Sequence, residues 1–313
     1  MSDNMHDTRC GTIRILLRPI LLTILLAFAV PAPTLATDNT PNNKSALKNF
    51  GKGILWRIDA ANTVPSYLFG TIHSDDPRVT KLPKPVEQAF NVSTQFVLEI
   101  AMSENDLLHM SQAMFLPQRE SLQDILGIKL YDETRETLMA RGMTDEHLHR
   151  LRPWLVITML SMPPRRDGKF LDLNLHMAAR QAKKTVHGLE TTHEQIAVFD
   201  GLALKDQVEL LRITVKRADK VGAETEQMIQ AWLARDLRKL EALSRKNEAD
   251  NPRLYRRIMR RLLHNRNARM HQRMQPILRQ GGAFIAVGAL HLGGYSGLLQ
   301  QLHNDGYLIR PVY

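Results

Sequence analysis

One segment near the end of the chain reads Phe284-Ile285-Ala286-Val287-Gly288-Ala289-Leu290-His291. Its first half is a short apolar run typical of a buried strand, and that run leads into a Gly-x-x-His motif. The same order occurs earlier, in Leu68-Phe69-Gly70-Thr71-Ile72-His73. In a chain with 17 glycines and 12 histidines, a Gly-x-x-His spacing can be expected by chance. The evidence for a functional site is therefore that both motifs lie just beyond a strand. Ligands of open α/β sheets bind beyond strand ends, and we therefore expect His73 and His291 at one site.

Further strand-type runs lie on both sides of a long helical region. They are residues 54–58, 67–70, 96–100, 186–190, 284–288 and 308–312. The segment from about 103 to 184, and most of 194–246, has helical patterning instead. These patterns predict the α/β class, with one sheet-centred domain. Its strands come from both ends of the mature chain (residues 37–313), and its large helical middle segment packs on the sheet.

Three helical predictions concern breaks in the chain. Apolar residues on one face of the segment 145–162 predict a single helix there. Gly222 predicts a break within the segment 194–246. Pro276 predicts a kink or an end in the helix that Asn251-Pro252 opens.

Residues 1–36 have the three parts of a secretory signal peptide. A region with three arginines precedes the apolar run Ile20–Val30, and small residues at 34 and 36 predict cleavage after Ala36. The run is shorter than the roughly 20 residues that a membrane span needs, which favours a cleaved signal over an uncleaved anchor. Residues 37–52 then predict a flexible leader, and residues 53–313 the folded domain. We expect a periplasmic or secreted protein with no stable membrane span after cleavage.

The chain carries a formal net charge of +10 and a single cysteine, Cys10, which cleavage would remove. The mature chain therefore offers no disulfide and no thiol nucleophile. Much of the positive charge lies in residues 253–279, which hold nine arginines and no acid. Few aromatic residues interleave with them, so we expect a solvated helix face that pairs with acids of the helical segment, and no nucleic-acid partner. The sequence contains no P-loop and no dinucleotide fingerprint.

Two acids accompany the strand-type runs. Glu99 lies within Phe96-Val97-Leu98-Glu99-Ile100, and Glu190 ends the run that begins at Val186. An unpaired carboxylate is costly to bury, so Glu99 either has a buried partner, such as Arg266, or belongs to a functional site. Two imidazoles and a carboxylate suit Zn²⁺, Mn²⁺ or a similar ion. The structural alternative is a set of histidines and acids that only tie the strand ends together.

A wider set of segments occurs along the chain. They are Leu55-Trp56-Arg57, Gly70-Thr71-Ile72-His73, Glu99, Asp172, Gly188-Leu189-Glu190-Thr191 with Gln195, Arg266-Asn267, Val287-Gly288-Ala289-Leu290-His291-Leu292-Gly293-Gly294 and Gly306-Tyr307. Together they resemble the TraB/GumN family, which is related to the Tiki metalloproteases and, more distantly, to erythromycin-esterase-like and ChaN-like proteins. The resemblance covers about 53–313, although 103–170 matches only in being helical. It implies a sheet-centred α/β domain that unites the two histidine motifs. Through the Tiki branch it also implies proteolysis dependent on a divalent metal, with Mn²⁺ or Co²⁺ as the ion.

The residues and this resemblance together predict a divalent-metal-dependent hydrolase acting on a peptide or protein substrate. The expected metal ligands are His73, Glu99 and His291. The expected catalytic residues are Glu190, Arg266 and Asn267. Glu190 is the candidate general base or a fourth ligand, while Arg266 and Asn267 either stabilise the oxyanion or hold the acids in position. The ion is Mn²⁺ or Co²⁺, with Zn²⁺ as an alternative. The competing hypothesis is a non-enzymatic protein that binds a peptide, a haem-like cofactor or an envelope component.

Overall fold

The structure is a computed structural model, and it describes residues 50–163, 169–246, 248 and 250–313. The predicted signal peptide and most of the predicted leader lie outside these residues. The strands are β1 (Leu55–Asp59), β2 (Ser66–Thr71), β3 (Gln95–Ile100), β4 (Thr185–Glu190), β5 (Ala283–Gly288) and β6 (Leu308–Pro311). Each coincides with a strand-type run in the sequence.

The six strands form one mixed sheet in the order β4-β3-β5-β2-β1-β6. β4, β3, β5 and β2 are parallel to one another, and β1 is antiparallel to both of its neighbours. The first two strands therefore form a hairpin. Strand β5 comes from near the end of the sequence and inserts between β3 and β2. The prediction of an α/β domain with a sheet built from both ends of the chain is confirmed.

The central strands are apolar because both of their faces are covered. In β5 the residues from Ala283 to Val287 are buried, and in β3 the residues from Phe96 to Ile100 are buried. Buried parallel strands have continuous apolar runs rather than alternating ones. Glu99 is therefore the exception in β3, and it needs a partner inside the protein.

Helices form most of the connections between the strands. They are α1 (Pro77–Thr80), α2 (Lys84–Val92), α3 (Glu104–Ala113), α4 (Leu122–Leu126), α5 (Ile128–Met139), α6 (Pro153–Leu160), α7 (Leu171–Gln181), α8 (Thr192–Asp200), α9 (Leu204–Lys216), α10 (Val221–Leu233), α11 (Leu237–Ser244), α12 (Pro252–Met259), α13 (Asn265–Gln280) and α14 (Leu298–Asn304). Short 3-10 turns lie at Asp145–Arg150 and Ala289–His291, and a π turn lies at Arg260–His264. In the part of the chain described, no helix is long and apolar enough to cross a membrane.

Two hydrophobic clusters fill the interior. In the sheet cluster, strand side chains such as Trp56, Phe69 and Phe284 pack with α2, α7, α10, α11, α13 and α14. In the helical cluster, α3 to α6, α8, α9 and α12 pack around Trp154. The helical middle of the chain thus has an apolar interior of its own, and we refer to its helices as the helical cover.

Two of the helical predictions are wrong about where a helix begins. The segment 145–162 is a 3-10 turn followed by α6, because Pro153 begins that helix and holds Arg152 in an extended conformation (φ −70°, ψ 146°). The prediction of a break at Gly222 is also wrong. Gly222 lies in the first turn of α10, and the break falls before it, at residues 217–220.

Pro276 does not end its helix, because α13 runs through it to Gln280, while the alternative of a kink there stays a prediction. A proline inside a helix removes one backbone hydrogen bond and costs about 3 kcal/mol. The buried side chains of Met270, Met274 and Leu278 anchor α13 in the sheet cluster on both sides of the proline. Tertiary packing therefore outweighs the local preference.

Candidate functional site

The two Gly-x-x-His motifs begin on adjacent strands. Thr71 at the end of β2 pairs with Gly288 at the end of β5, and the two strands run parallel. His73 follows the end of β2, and His291 lies in the 3-10 turn after β5. The sheet therefore brings both motifs to one edge, where the carboxyl end of β3 also lies because β3 pairs with β5.

Two side chains near the start of α7 hold the His73 imidazole. Asp172 Oδ2 lies 3.2 Å from His73 Nδ1, and Asp172 Oδ1 accepts a 2.7 Å hydrogen bond from Thr71 Oγ1. The Phe170 ring stacks on the imidazole, with 4.3 Å between centroids and 19° between planes. Burial alone would raise the pKa of Asp172, but the hydrogen bonds from His73 and Thr71 lower it. With Nδ1 engaged by a carboxylate, Nε2 is the nitrogen that His73 can offer to a ligand.

An amide holds the second imidazole. Asn267 Nδ2 donates to the carbonyl oxygens of Ser296 (2.8 Å) and His291 (3.4 Å). Asn267 Oδ1 must therefore accept, and it lies 2.5 Å from His291 Nδ1, which carries the proton. Burial, together with the nearby charge of Arg266, lowers the pKa of His291 well below its usual value. His291 is thus a neutral imidazole with its lone pair on Nε2.

Arg266 joins the two acids of the site. Its Nη2 lies 2.6 Å from Oε2 of both Glu99 and Glu190, and its Nε donates to Glu190 Oε2 at 2.8 Å. The ion pair between Glu99 and Arg266, which the sequence left open as an alternative, is therefore present. The other Glu99 oxygen, Oε1, accepts the backbone N–H of Gly288 at 2.7 Å and lies 3.8 Å from His291 Nε2.

Glu190 is engaged at both of its oxygens. Arg269 Nη2 donates to Oε1 at 2.6 Å, while Oε2 accepts from Arg266. Gln195 Nε2 lies 3.3 Å from the carboxylates of both Glu190 and Glu99. These contacts hold Glu190 in one orientation at the end of β4.

The electrostatics of Glu99 differ from those of an exposed acid. Burial raises the pKa of Glu99, the charge of Arg266 opposes this rise, and the charge of Glu190 adds to it. One guanidinium is shared between two buried carboxylates, so Arg266 neutralises Glu99 only in part.

The donor atoms have the chemistry of a divalent-metal site. Nε2 of His73 and Nε2 of His291 are both buried without a hydrogen-bond partner. Neutral imidazole nitrogens are ligands for Zn²⁺ and similar ions, and metal-binding histidines are oriented by a hydrogen bond at the other ring nitrogen. However, no three His, Cys, Asp or Glu side chains of the described residues lie close enough together to hold an ion. The fit therefore extends to the two imidazoles, with Glu99 Oε1 3.8 Å from one of them.

Comparison with known proteins places this chain in a family. The model of the TraB/PrgY/gumN family matches residues 54–311. The chain belongs to this family. It is similar to metalloprotease TIKI1 of Danio rerio, with 26% identity over 92% of this chain and 67% of that protein. Human metalloprotease TIKI1 is 24% identical over 90% of this chain and 66% of its own length. The uncharacterized protein YbaP of Shigella flexneri is 24% identical over 76% of this chain and 87% of its length.

The chain spans about two thirds of the length of the TIKI1 proteins that it matches. No solved structure matches it significantly. The resemblance to TraB/GumN proteins expected from the sequence motifs is thus confirmed at the level of the family.

In this TraB/PrgY/gumN protein, direct contacts join most of the residues singled out from the sequence. Glu99, Glu190 and Arg266 form one ion-pair cluster. Asn267 contacts His291, and its predicted role at the oxyanion or at the acids stays a prediction. His73 lies beyond the neighbouring strand end and has its own partner.

That partner, Asp172, received no role from the sequence, although it is one of the residues that carry the family resemblance. The available signal was chemical, because a histidine ligand needs an acceptor for its Nδ1 proton and Asp172 was a motif acid without an assigned function. The stacking of Phe170 on His73 had no signal in the sequence.

Proposed function

We propose that this chain is a divalent-metal-dependent hydrolase of peptide bonds. The observation that carries the proposal is the pair of buried imidazoles beyond β2 and β5, each held at Nδ1 and each with an unpartnered Nε2. A buried polar atom without a partner is unfavourable in a protein that has no use for it. The similarity to proteins named as metalloproteases adds the reaction class.

In this proposal His73 and His291 would hold the ion through Nε2, and Glu99 would contribute Oε1. When bound there, a divalent ion would supply a water molecule whose pKa is lowered toward about 7 and a Lewis acid for the scissile carbonyl. Asp172 and Asn267 orient the two imidazoles, which keeps both lone pairs available. We propose Mn²⁺ or Co²⁺ as the ion, with Zn²⁺ as the alternative.

Arg266 and Glu190 complete the site in two different ways. The contacts of Arg266 support a positioning role, because it fixes the Glu99 carboxylate against the end of β5. The assignment of Glu190 as general base stays a prediction. Its two arginine partners favour a role in holding Arg266, and the variant Glu190→Gln distinguishes the two roles. If Glu190 is the general base, this variant should lose turnover because the carboxylate charge is gone. If Glu190 only positions Arg266, the variant should lose stability before it loses turnover.

The substrate in this proposal is a peptide or protein outside the cytoplasm. The predicted signal peptide supports export. The relatives named as metalloproteases support the substrate class.

The test is elemental analysis of protein purified without chelator, followed by peptide hydrolysis with and without EDTA. We expect a bound divalent ion and turnover that EDTA removes and the same ion restores. The variants His73→Ala and His291→Ala should lose both. The matched control is His271→Ala, since the His271 side chain contacts Asp305 at the surface and its loss should leave both properties unchanged.

Three outcomes would contradict the proposal. One is metal content that is the same in the two site variants as in the wild type. Another is turnover that EDTA leaves intact. The third is tight peptide binding with no turnover under any metal, which would favour the non-enzymatic binding protein.

A further inference from the structure

We propose that Tyr295 and the adjacent pair Leu107 and Leu108 form the substrate-recognition surface of this site, and that they take apolar side chains on either side of the cleaved peptide bond. The inference rests on the proposed function, and it names the class of peptide that the site accepts. Both groups are exposed apolar side chains on segments that directly follow strands of the site edge.

Tyr295 is the first observation. Its side chain is 84% exposed, whereas the next most exposed large apolar residue described, Ile128, is at 70%. It lies at the tip of a turn between His291 and α14. An exposed tyrosine offers a binding partner a large, rigid contact area at little cost in conformational entropy.

Side-chain hydrogen bonds fix the turn that carries Tyr295. The carbonyl oxygen of Ser296 accepts hydrogen bonds from Asn267 Nδ2 and Gln301 Nε2, both at 2.8 Å. At Gly297 a side chain would collide with main-chain oxygens of residues 292 and 293, so the backbone there is closely packed. The ring is therefore presented by a constrained turn rather than by a loose loop.

The same anchor connects this turn to the site. Asn267 donates to Ser296 with its Nδ2 and accepts from His291 Nδ1 with its Oδ1. One side chain thus fixes both the imidazole and the turn next to Tyr295. Asn267 therefore holds a substrate that contacts Tyr295 at a fixed position relative to His291.

Leu107 and Leu108 are the second observation. They lie on α3, which begins shortly after Glu99 and β3, and their side chains are 41% and 59% exposed. A capping box between Ser103 and Asp106 fixes the start of this helix. Met110, three residues after Leu107, is buried in the helical cluster, whereas both leucines stay exposed near the start of the helix.

Strand adjacency relates the two groups to each other. β3, which leads to the leucines, pairs directly with β5, which leads to Tyr295. Glu99 and Gly288 at the ends of these strands are hydrogen-bonded. The two apolar groups therefore follow neighbouring strand ends that meet at the site, and this arrangement suits an extended peptide with apolar residues flanking its reactive bond.

The test compares peptide libraries that carry apolar or polar residues on each side of the scissile bond, with kcat and KM measured separately. We expect Tyr295→Ser and the double variant Leu107→Ser, Leu108→Ser each to raise KM for apolar peptides by about tenfold, with kcat nearly unchanged. Each variant should lose the preference on one side only. Tyr295→Phe should behave like the wild type, since it keeps the ring. The matched control is Val64→Ser with Val92→Ser, because these valines are also exposed but lie near the opposite edge of the sheet.

Unchanged KM and unchanged side-chain preference in both variants would overturn the inference. An equal rise in KM in the valine control would also overturn it, since the loss of any exposed apolar side chain would then have the same effect. Binding of the same peptides to His291→Ala separates this inference from the proposed function. If the wild type has no hydrolytic activity but His291→Ala binds apolar peptides in a Tyr295-dependent way, the proposed reaction fails and the recognition surface remains.

Discussion

The two site histidines have different partners at Nδ1, and the partner sets what each ring can do. Asp172 gives His73 a charged carboxylate as its partner. Asn267 gives His291 an amide whose orientation two carbonyl oxygens fix, in a buried setting that keeps the ring neutral. Two residues of the same type are thus prepared differently by their neighbours.

Replacing the carboxylate that holds His73 tests this view. We expect Asp172→Asn to fold normally and to weaken metal binding by about 10- to 100-fold, because the imidazole loses a charged acceptor. The measurement is a titration with Co²⁺ or Mn²⁺. The control is Asp305→Asn, which alters another Asp–His pair, at 2.6 Å from His271 on the surface. Equal affinity in both variants would show that Asp172 does not support a metal ligand.

The shared guanidinium gives a second residue-scale prediction. Arg266→Met removes the partner of two buried carboxylates, so we expect the free energy of unfolding to fall by about 3–5 kcal/mol. Arg310 is the matched control. Its side chain is 56% exposed, against 1% for Arg266, and it pairs with Asp59 at 2.7 Å. Arg310→Met should therefore cost less than about 1 kcal/mol. Urea denaturation measures both, and similar losses would contradict the role of burial.

At the scale of elements, the site depends on how helix starts and turns are fixed. Helix α8 begins with a capping box in which Thr191 and Glu194 exchange hydrogen bonds. Arg273 of α13 then binds Glu194 through two nitrogens, at 2.7 and 2.9 Å. The helix that follows Glu190 is therefore tied to the helix that carries Arg266.

This tie depends on pH. The hydrogen bond from Arg273 lowers the pKa of Glu194 to about 2, although burial acts in the opposite direction. A lowered folded-state pKa contributes stability that is present above the unfolded value of about 4.5 and is lost as the pH falls toward 2. The stability difference between wild type and Glu194→Gln should thus be largest at pH 7 and shrink below pH 4.5. Urea denaturation across this range measures it, with Glu209→Gln in the exposed pair with Arg212 as a control. A difference that stays constant with pH would contradict the assignment.

A pair of glycines tests the turn after His291. Gly297→Ala should destabilise the protein by about 1–3 kcal/mol, because the new methyl group would collide with main-chain oxygens. Gly222→Ala is the same chemical change within α10, where nothing lies within 4 Å of the added carbon. It should stabilise the protein by about 0.5–1 kcal/mol. Thermal unfolding gives the sign of each, and two changes of the same sign would refute the packing argument.

At the scale of the whole molecule, the N-terminal prediction concerns export. Protein recovered from its native cell should begin near Thr37, and it should be found outside the cytoplasm. The measurement is N-terminal sequencing with cell fractionation. A matched variant replaces Leu25 and Leu26 in the apolar run with arginine, and it should leave an uncleaved precursor inside the cell. A cytoplasmic wild-type product that retains Met1 would contradict the export prediction.

Sequence patterns predict the strands and the site edge well, because short apolar runs such as Phe284–Val287 are fully buried on parallel strands. The two histidine motifs could be placed together for the same reason. The failures share another cause. Local preference predicts a helix end at Pro276 and a break at Gly222, whereas packing in the sheet cluster continues α13 through Pro276 and α10 begins one residue before Gly222.

The contacts between the site residues are harder to predict from the sequence than the residues themselves. Arg266 reaches Glu99 across 167 residues of sequence, and a spacing of that length carries no pattern. Asp172 reaches His73 across 99 residues for the same reason. Sequence motifs can list the polar residues of such a site, but only the folded chain determines which of them pair.

The late position of β5 in the chain affects the timing of folding. This strand separates β3 from β2, and its contacts span 189 residues to Glu99 and 217 residues to Ser66. The sheet therefore lacks its middle until the ribosome has made the chain through residue 288, and such long-range pairing is slow. If the predicted signal directs the chain across a membrane, slow completion is an advantage. An exported precursor would then stay unfolded during translocation and would acquire its site only after β5 has crossed the membrane.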